Sequence, residues 1–350
     1  MIDKDTDFFK ITNNFSKTAS VLSNEIIKSN LDFKPKVTIA IPTYKRAALL
    51  KEAIDSAINQ TGYEFYDIIV VDNDPERGCE TEKLLLSYND NRITYYKNSE
   101  NIGMAGNWNR LFELAIGDYV VMLHDDDLIL SSFLSKCMHF VDKKRDVGIV
   151  RPISRLFNDT LTHEQVQQFE KDSDIIGGCK WRGEFKRIFD IDNCLSFALG
   201  APTGCLFDKK AVFDIGGYND NFYPSQDYCF ALLFSCHYKV YILKKTLTLY
   251  RWGENESLNI STRKSFAIDA YYLRKSIFKK YGLPKYITDR YLYCFINIHK
   301  DLNLNFDEST LIHLNTNPGN MTFFSNIIWV YMKIVKMIKY RIGIDFWRHC

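Results

Sequence analysis

The sequence predicts an α/β protein with a mostly parallel central sheet and a C-terminal helical extension. Over the first half of the chain, short runs of apolar and β-branched residues alternate with amphipathic stretches. This alternation is typical of a parallel sheet covered by helices on both faces. The apolar runs are continuous, as expected for strands buried on both faces. From Ser265 onward, the apolar residues follow helical spacing.

Length, composition and charge exclude several classes of protein. The 350 residues, with 46% hydrophobic and 15% aromatic content, indicate a packed globular protein. The net charge of +2 gives no sign of a nucleic-acid partner. The charged N terminus lacks the apolar segment of a signal peptide, and no run of about 18 apolar residues predicts a membrane span. Nine cysteines without a CxxC pair indicate reduced thiols in a cytoplasmic protein without structural zinc.

The regular alternation lies in the first half of the chain. Residues 1–35 are polar, and we expect them to form a helix packed loosely on the body. The predicted strands that follow are Val37–Ile41, Asp67–Val71, Arg92–Tyr96 and Tyr119–Leu123. The helices predicted between them are Arg46–Gln60, Glu80–Ser87 and Asn107–Ala115.

The second half of the chain is less regular. Its predicted strands are Val147–Val150, Gly204–Phe207, Lys239–Leu243 and Leu247–Tyr250. Residues 158–180 are polar, so we interpret them as a long surface loop. The predicted helices are Glu184–Leu199, Asp227–His237, Phe266–Tyr281, Pro284–Lys300 and Phe323–Ile342.

An acidic run, His-Asp-Asp-Asp at residues 124–127, follows the Tyr119–Leu123 strand directly. Adjacent carboxylates repel one another, but they become favourable where a divalent cation binds, because hard oxygen ligands suit Mg²⁺ or Mn²⁺. Ligands of open α/β sheets bind beyond the carboxyl ends of the strands, which is where this run lies. The alternative is a solvated turn whose last Asp caps a helix that begins near Ser131.

Polar residues also follow the first two predicted strands. Pro42-Thr-Tyr-Lys-Arg46 follows the first strand, and Asp72 follows the second. Arg46 could hold a diphosphate together with a metal, and Asp72 can accept hydrogen bonds from the N–H groups of a base. The structural alternatives are a simple strand end at Pro42 and an Asx turn at Asp72.

A loop with two glycines, Gly103 and Gly106, precedes the third predicted helix. Glycine lets the backbone approach a ligand closely, and the N terminus of a helix favours anions. Asn109 could therefore share the diphosphate with Arg46, although Gly103 could equally serve only to turn the chain. The order of all these groups around one sheet edge favours a ligand site.

Four motifs in this order resemble those of the family-2 inverting glycosyltransferases. They are Val37-Thr-Ile-Ala-Ile-Pro-Thr-Tyr-Lys-Arg46, Ile69-Val-Val-Asp-Asn-Asp74, Asn101-Ile-Gly103 with Asn109, and Gly117-Asp-Tyr-Val-Val-Met-Leu-His-Asp-Asp-Asp127. The resemblance spans Lys36 to Arg251. It implies the A-type glycosyltransferase fold, which is Rossmann-like. The expected domains are an N-terminal extension (1–35), a catalytic domain (36–255) and a C-terminal helical region (256–350).

The resemblance also implies a donor site and a metal. The residues expected to bind the donor are Pro42, Tyr44, Arg46, Asp72, Gly103, Asn109 and Asp125, with Asp72 on the nucleobase. Asp125 and Asp126 would form the metal-binding DxD element, and Asp126 would be the direct ligand of Mn²⁺ or Mg²⁺. His124 stands where many members have the first Asp.

A carboxylate base lies on a later helix in this family, usually in a Glu-Asp pair. Gln226-Asp227 occupies that place, so Asp227 would remove the proton of the acceptor hydroxyl. The alternative is that Asp227 merely stabilises the N terminus of its helix. The residues expected on the acceptor side or on a segment that closes over the donor are Gly204, Tyr218, Arg251, Asn255 and Ser257.

The function implied by the resemblance is inverting transfer of a hexose, glucose or galactose, from a UDP-linked nucleotide-sugar. The expected acceptor is a sugar hydroxyl on a polyprenyl-diphosphate carrier, in bacterial O-antigen or capsule synthesis. The alternatives are a metal-dependent nucleotidyltransferase and a non-catalytic nucleotide- or sugar-binding module.

The segment Phe323 to Arg341 interleaves apolar residues with Lys and Arg. It would either lie on an anionic membrane or pack on the core as an ordinary helix. We therefore expect a cytoplasmic enzyme, and a peripheral contact with the inner face of the cell membrane stays open.

Overall fold

One mixed ten-stranded sheet organises the computed structural model, which describes residues 5–158, 161–172, 183–253, 259–299 and 321–341. The strands are β1 (Ser23–Ile27), β2 (Val37–Thr43), β3 (Tyr66–Asp72), β4 (Ile93–Asn98), β5 (Tyr119–Met122), β6 (Leu128–Ile129), β7 (Val147–Phe157), β8 (Phe185–Ile188), β9 (Cys205–Asp208) and β10 (Lys239–Arg251). Their order across the sheet is β1-β4-β3-β2-β5-β9-β7-β10-β6, and β8 also pairs with β10.

Parallel pairing joins two groups of strands. β4, β3, β2 and β5 are parallel neighbours, and β7 is parallel to β10. β9 runs antiparallel to β5 and β7, while β1, β6 and β8 add antiparallel pairs at the margins. Every residue of β2 and β3 is buried, as the continuous apolar runs predicted. The predicted α/β class is confirmed, and its parallel part carries the carboxyl ends of β2, β3 and β5 to one edge.

Helices cover both faces of the sheet. They are α1 (Ala47–Ile58), α2 (Glu80–Leu86), α3 (Gly103–Leu114), α4 (Phe133–Lys143), α5 (His163–Lys171), α6 (Asp190–Ser196), α7 (Lys209–Asp214), α8 (Gln226–His237), α9 (Ile260–Tyr281), α10 (Lys285–Ile298) and α11 (Met321–Arg341). Residues of α1 and α4 pack on one face, and residues of α3, α7 and α8 pack on the other. Burying a large apolar side chain contributes about 1.5–3 kcal/mol, so these two layers fix the position of the strand ends.

A third core joins the C-terminal helices to the sheet domain. It contains Tyr228 of α8, Tyr271 of α9 and Tyr291 of α10. Ile328 and Met332 of α11 are buried in the same core, so one face of this helix packs on the protein. None of the helices within the described ranges combines the length and apolar character needed to cross a membrane.

The helix predicted for residues 1–35 is wrong. After a short 3₁₀ helix at Phe15–Thr18, this segment forms β1, which extends the sheet beside β4. Phe8, Phe9 and Phe15 are buried among later parts of the chain. The apolar residues are too far apart for a local pattern, so tertiary contacts decide the structure here.

Three predictions in the second half of the chain are also corrected. The helix predicted over Glu184–Leu199 is β8 followed by α6. The loop predicted at 158–180 contains α5, which begins at a Thr162–Gln165 capping box, a signal that was present in the sequence. Residues 159–160 and 173–180 of that loop lie outside the described residues. The two strands predicted within 239–250 are one strand, β10, whose pairing with β7 shifts register along its length.

Close approach of two backbones at Gly117 gives a test of the fold. A Cβ at Gly117 would lie 2.7 Å from the Thr38 nitrogen and 2.8 Å from the Val37 carbonyl carbon in β2. We expect Gly117→Ala to lower the free energy of unfolding by about 1–3 kcal/mol, because the strand cannot move aside without losing its pairing. Urea denaturation measures this. Gly253→Ala is the control, since a Cβ there meets no atom of the described residues within 4 Å. Equal stability of the two variants would contradict the packing argument.

Candidate active site

The carboxyl ends of β2 and β5 open into a cavity of about 1260 Å³. Its wall includes residues from β2, α3, the acidic run, β7, α8, α9 and α10. The predicted site residues that line it are Pro42, Tyr44, Arg46, Gly103, Asp125, Asp126 and Asp227. The fold therefore brings the candidate donor residues and the candidate base to one cavity, although they are far apart in the sequence.

Two partners hold Asp125 at the edge of the cavity. The Thr43 hydroxyl donates a hydrogen bond to Oδ2 of Asp125 at 2.8 Å, and Nη1 of Arg46 lies 3.5 Å from Oδ1. The same Arg46 nitrogen donates to Oδ2 of Asp126 at 3.0 Å. Burial raises the pKa of Asp125 to about 6, and the Thr43 hydrogen bond opposes this rise. Arg46 thus offsets the charge of two neighbouring carboxylates.

A group with the spacing of metal ligands lies beside this pair. One ligand atom each from His124, Asp126 and Asp127 lie within 4.8 Å of one another. Nε2 of His124 and Oδ2 of Asp127 are buried, and neither has a hydrogen-bond partner within the described structure. Buried polar atoms are normally paired, and a cation bound by Asp127 would supply the partner that Oδ2 lacks. Nδ1 of His124 lies 3.9 Å from this oxygen. The donor set therefore fits Mn²⁺ or Mg²⁺.

Asp126, the predicted direct ligand, belongs to this group, while Asp125 does not. Asp127 was not among the predicted ligands. Burial raises the pKa of Asp127 to about 8, and the neighbouring Asp126 adds to the rise. Burial also lowers the pKa of His124, which favours the neutral imidazole that metal coordination requires. His124 is held in place by stacking on Trp108, with ring centroids 5.4 Å apart.

The resemblance placed Arg251 on a segment that closes over the donor, and that role stays a prediction; in the structure Arg251 contacts the acidic run. It is buried, and its backbone N–H donates to Oδ1 of Asp127 at 2.8 Å. Its Nε donates to the Asp126 carbonyl at 2.9 Å, and its Nη2 donates to Glu52 of α1 at 2.8 Å. Arg251 therefore ties the acidic run to α1. The other two residues of the predicted closing segment, Asn255 and Ser257, lie outside the described residues.

Asp72 is the anion of a buried ion pair. Its Oδ2 accepts from Lys97 at 2.8 Å and from the Tyr95 hydroxyl at 2.7 Å, while Oδ1 accepts the backbone N–H of Asp74 at 2.9 Å. Asp72 has no exposed surface and does not line the cavity. Both oxygens accept protein donors in this structure, and the predicted contact with a nucleobase stays a prediction.

Asn109 is also turned away from the cavity. Its side chain donates to the carbonyl of Tyr218 at 2.8 Å and accepts the backbone N–H of Tyr218 at 2.7 Å. Asn109 therefore does not touch the cavity where a diphosphate would bind, and it joins α3 to the residues before α8. Asn73, which the sequence did not single out, lines the cavity and accepts the backbone N–H of Ile102 at 3.0 Å. This contact positions Gly103, which is the first residue of α3 and has a φ of +72°.

Gly204 and Tyr218 support the cavity wall from behind instead of lining it. The N–H of Gly204 donates to the Met122 carbonyl at 2.7 Å, and an added Cβ would collide with Thr248. Tyr218 is 1% exposed and stacks on Phe230 with centroids 4.0 Å apart. Both residues are packing positions in this structure, and the acceptor-side role predicted for them stays a prediction.

Asp227 lies in the first turn of α8 and faces the cavity. It is half-buried, and burial raises its pKa to about 7, opposed by hydrogen bonds from backbone N–H groups of the first turn. One of these is the N–H of Tyr228, at 2.7 Å from Oδ1. Next to it, Gln226 is 3% exposed, and its Oε1 has no hydrogen-bond partner within the described structure. Asp227 thus combines a helix-terminal position with access to the cavity.

Two curated proteins are similar in sequence to this chain. An uncharacterized glycosyltransferase of Methanocaldococcus jannaschii is 33% identical over 120 residues. A Campylobacter jejuni protein, GalNAc(5)-diNAcBac-PP-undecaprenol beta-1,3-glucosyltransferase, is 26% identical over 246 residues. The matches cover 33% and 66% of this chain, respectively. They span 41% of the length of the first relative and 69% of the second.

Two solved structures share the fold. Staphylococcus aureus TarS 1–349 in complex with UDP has a TM-score of 0.54 at 15% identity, over 81% of this chain and 75% of that chain. The mannosyltransferase PcManGT from Pyrobaculum calidifontis, in complex with GDP-Man and Mn²⁺, has a TM-score of 0.52 at 15% identity, over 93% of this chain and 87% of that chain. These likenesses confirm the predicted A-type glycosyltransferase fold.

Residues 38–213 match the family model described as glycosyl transferase family 2. This match contains β2, β3 and β5 together with the whole acidic run, which are the elements that build one side of the cavity. The resemblance inferred from the four motifs is confirmed, and the chain belongs to glycosyl transferase family 2.

Proposed function

We propose that this protein is an inverting hexosyltransferase that uses a UDP-linked donor, glucose or galactose, and a sugar hydroxyl on a lipid-diphosphate carrier as acceptor. The observation that carries the proposal is one cavity with Arg46 and the acidic run on one side and Asp227 on another. The name of the Campylobacter jejuni relative supports a diphosphate-linked acceptor, and UDP in the TarS complex supports the nucleotide. Family membership favours glycosyl transfer over nucleotidyl transfer or simple binding.

The biological setting proposed is the synthesis of a bacterial surface polysaccharide such as O-antigen or capsule, at the inner face of the cell membrane. An Escherichia coli relative named 'Putative colanic acid biosynthesis glycosyl transferase WcaA' is 33% identical over 93 residues, and its name supports this setting. The match covers 27% of this chain, so it supports the class of product and not the acceptor.

On the donor side, we propose that His124, Asp126 and Asp127 hold Mn²⁺ or Mg²⁺. When bound, the cation supplies charge that offsets the negative charge of the departing nucleoside diphosphate. Arg46 is placed to contribute to the same end, since it already contacts Asp125 and Asp126. Asp125 would stay on the donor side without being a direct ligand. The Mn²⁺ in the PcManGT complex supports the choice of metal.

On the acceptor side, we propose that Asp227 is the general base. The acceptor oxygen forms a bond to the anomeric carbon while the bond from that carbon to the diphosphate oxygen breaks. The electron pair of the broken bond leaves with the nucleoside diphosphate, and the acceptor proton passes to the Asp227 carboxylate. A single displacement of this kind inverts the anomeric configuration. A carboxyl whose pKa is about 7 accepts this proton more readily than an ordinary aspartate does.

Asp126→Asn tests the metal site. The variant keeps the shape of the side chain but weakens an anionic ligand, so we expect Mn²⁺ affinity and turnover to fall by at least about 100-fold. Isothermal calorimetry with Mn²⁺ and UDP gives a readout independent of activity. Asp142→Asn, an exposed carboxylate next to Lys36, is the matched control. Full turnover of the wild type in EDTA would rule out the metal.

Asp227→Asn tests the base. The amide keeps a hydrogen-bonding group but cannot take up the proton, so turnover should fall by about 10²–10⁴ while UDP affinity stays unchanged. Steady-state kinetics and calorimetry measure the two effects, again with Asp142→Asn as the control. If the variant keeps more than about a tenth of the turnover, less than that expected loss, Asp227 is not the base. Glu254 and Glu256, which lie outside the described residues, would then be the next candidates.

The pKa of Asp227 also predicts two pH dependences. A base with a pKa of about 7 must be ionised to act, so kcat/KM should rise with pH through about 7 and level off above it. In the unfolded chain the pKa is near 3.8. Between these two values the native state holds a proton that the unfolded state has lost, so the contribution of Asp227 to stability falls as pH rises.

Asp227→Asn removes the contribution of this carboxyl to the pH dependence of stability. The variant should therefore melt at a higher temperature than the wild type at pH 8 and at a similar temperature at pH 4, which calorimetric scans would measure. If kcat/KM instead rises with pH near pH 4, and the variant melts at a lower temperature than the wild type at pH 8, Asp227 only stabilises the N terminus of its helix.

A further inference from the structure

Arg151 is a cation of the cavity wall that the proposed reaction does not use. It lies in β7, two strands away from β5, and its side chain is mostly buried where it lines the cavity. The guanidinium lies against Gly200, whose φ is +65°. Any side chain at residue 200 would overlap the guanidinium, because an added Cβ would collide with Nη1 of Arg151. The turn before β9 thus leaves room for this group at the cavity surface.

The other arginines that line the cavity, and His299, already have partners. Arg46 is paired with Asp125 and Asp126. Arg274 donates to the Ala270 carbonyl at 2.9 Å and the Leu195 carbonyl at 3.2 Å. Arg263 and His299 also interact within the chain. These groups are therefore occupied before any ligand enters.

Arg151 differs from them. Within the described ranges, its guanidinium has no hydrogen bond, no ion pair with a carboxylate and no aromatic ring stacked on it. Burial lowers the pKa of Arg151, because the charge is removed from water, and the neighbouring Cys205 and Tyr250 oppose this only in part. A buried charge is normally paired, and the planar fork of arginine matches the oxygens of a phosphate. A phosphate oxyanion entering the cavity would supply the missing partner.

The wall formed by α9 and α10 indicates which phosphate this is. It presents the apolar groups of Phe266, Ala267, Ala270 and Phe295 to the same cavity. A nucleotide-sugar donor has no hydrocarbon chain to place there. A prenyl-diphosphate acceptor carries both a phosphate and a hydrocarbon chain, so it matches the cation and the apolar wall together.

We propose that Arg151 binds the diphosphate of a lipid-linked acceptor and thereby positions the acceptor sugar, with Gly200 keeping the space that the guanidinium needs. This inference rests on the proposed function and adds the residue that recognises the charged carrier. The cation proposed at the acidic run would serve the donor diphosphate, so the two diphosphates have separate positive partners.

Binding of inorganic pyrophosphate tests the anion site without catalysis. In calorimetry with EDTA present, Arg151→Met should lower pyrophosphate affinity by about 10- to 100-fold, as expected for the loss of charge-assisted hydrogen bonds. Arg46→Met should change it less, because Arg46 is already paired with two carboxylates. Arg151→Lys should recover part of the affinity, since it keeps the charge without the fork. Unchanged affinity in Arg151→Met would overturn the proposal.

Kinetics with two acceptors that carry the same sugar identifies the source of the phosphate. For a prenyl-diphosphate-linked acceptor, Arg151→Met should raise KM by about 10- to 100-fold, whereas an uncharged alkyl glycoside should show the same KM for variant and wild type. A raised KM for the nucleotide-sugar would assign Arg151 to the donor, and equal losses with both acceptors would assign it a structural role. Either result overturns the proposal.

The two ideas can fail separately. If the wild type transfers no sugar from any nucleotide donor, but Arg151→Met binds pyrophosphate more weakly than the wild type, the proposed function fails and the anion site stands. If transfer occurs with equal KM values for both acceptors in wild type and variant, the proposed function stands and the role of Arg151 fails. Melting temperatures of Arg151→Met and Arg151→Lys show whether either variant is folded.

Discussion

Desolvation of the carboxylates at the end of β5 is the constraint on which the site depends. Asp125 and Asp127 are buried, and burial raises both of their pKa values. Their partners come from three distant elements: Thr43 ends β2, Arg46 precedes α1, and the backbone of Arg251 ends β10. Charges in such a place are tolerated only when partners are fixed around them, so the register of these elements and the charge of the site depend on each other.

The two sides of the cavity have different origins in the chain. The donor side is built within residues 38–213, which match the family model, and it uses the carboxyl ends of parallel strands. Asp227, α9 and α10 lie beyond that match, and they form much of the opposite side together with Arg151 of β7. The cavity therefore combines a part that the family model covers with a part that lies beyond it.

Sequence reasoning predicted the backbone better than the direction of side chains. The strands β2, β3 and β5 and the helix α1 were predicted because their burial is periodic or continuous along the chain. Asp72 and Asn109 were placed at the correct strand end and helix, but their side chains turn toward Lys97 and Tyr218, partners that only the folded chain brings near. Arg151 gave no signal, because an isolated arginine in a strand reveals its lack of a partner only in three dimensions.

The N-terminal segment has a consequence for the order in which the chain folds during synthesis. Asn14 donates hydrogen bonds to the Gly216 carbonyl from its backbone, at 3.0 Å, and from its side chain, at 3.1 Å. β1 must likewise wait for β4. Asn14 therefore leaves the ribosome 202 residues before its partner Gly216, and closing such a long loop is slow. Until about residue 216 has emerged, the phenylalanines at residues 8, 9 and 15, which are buried in the folded chain, stay exposed to solvent. Such exposed apolar surface makes a nascent chain prone to aggregation and a substrate for chaperones.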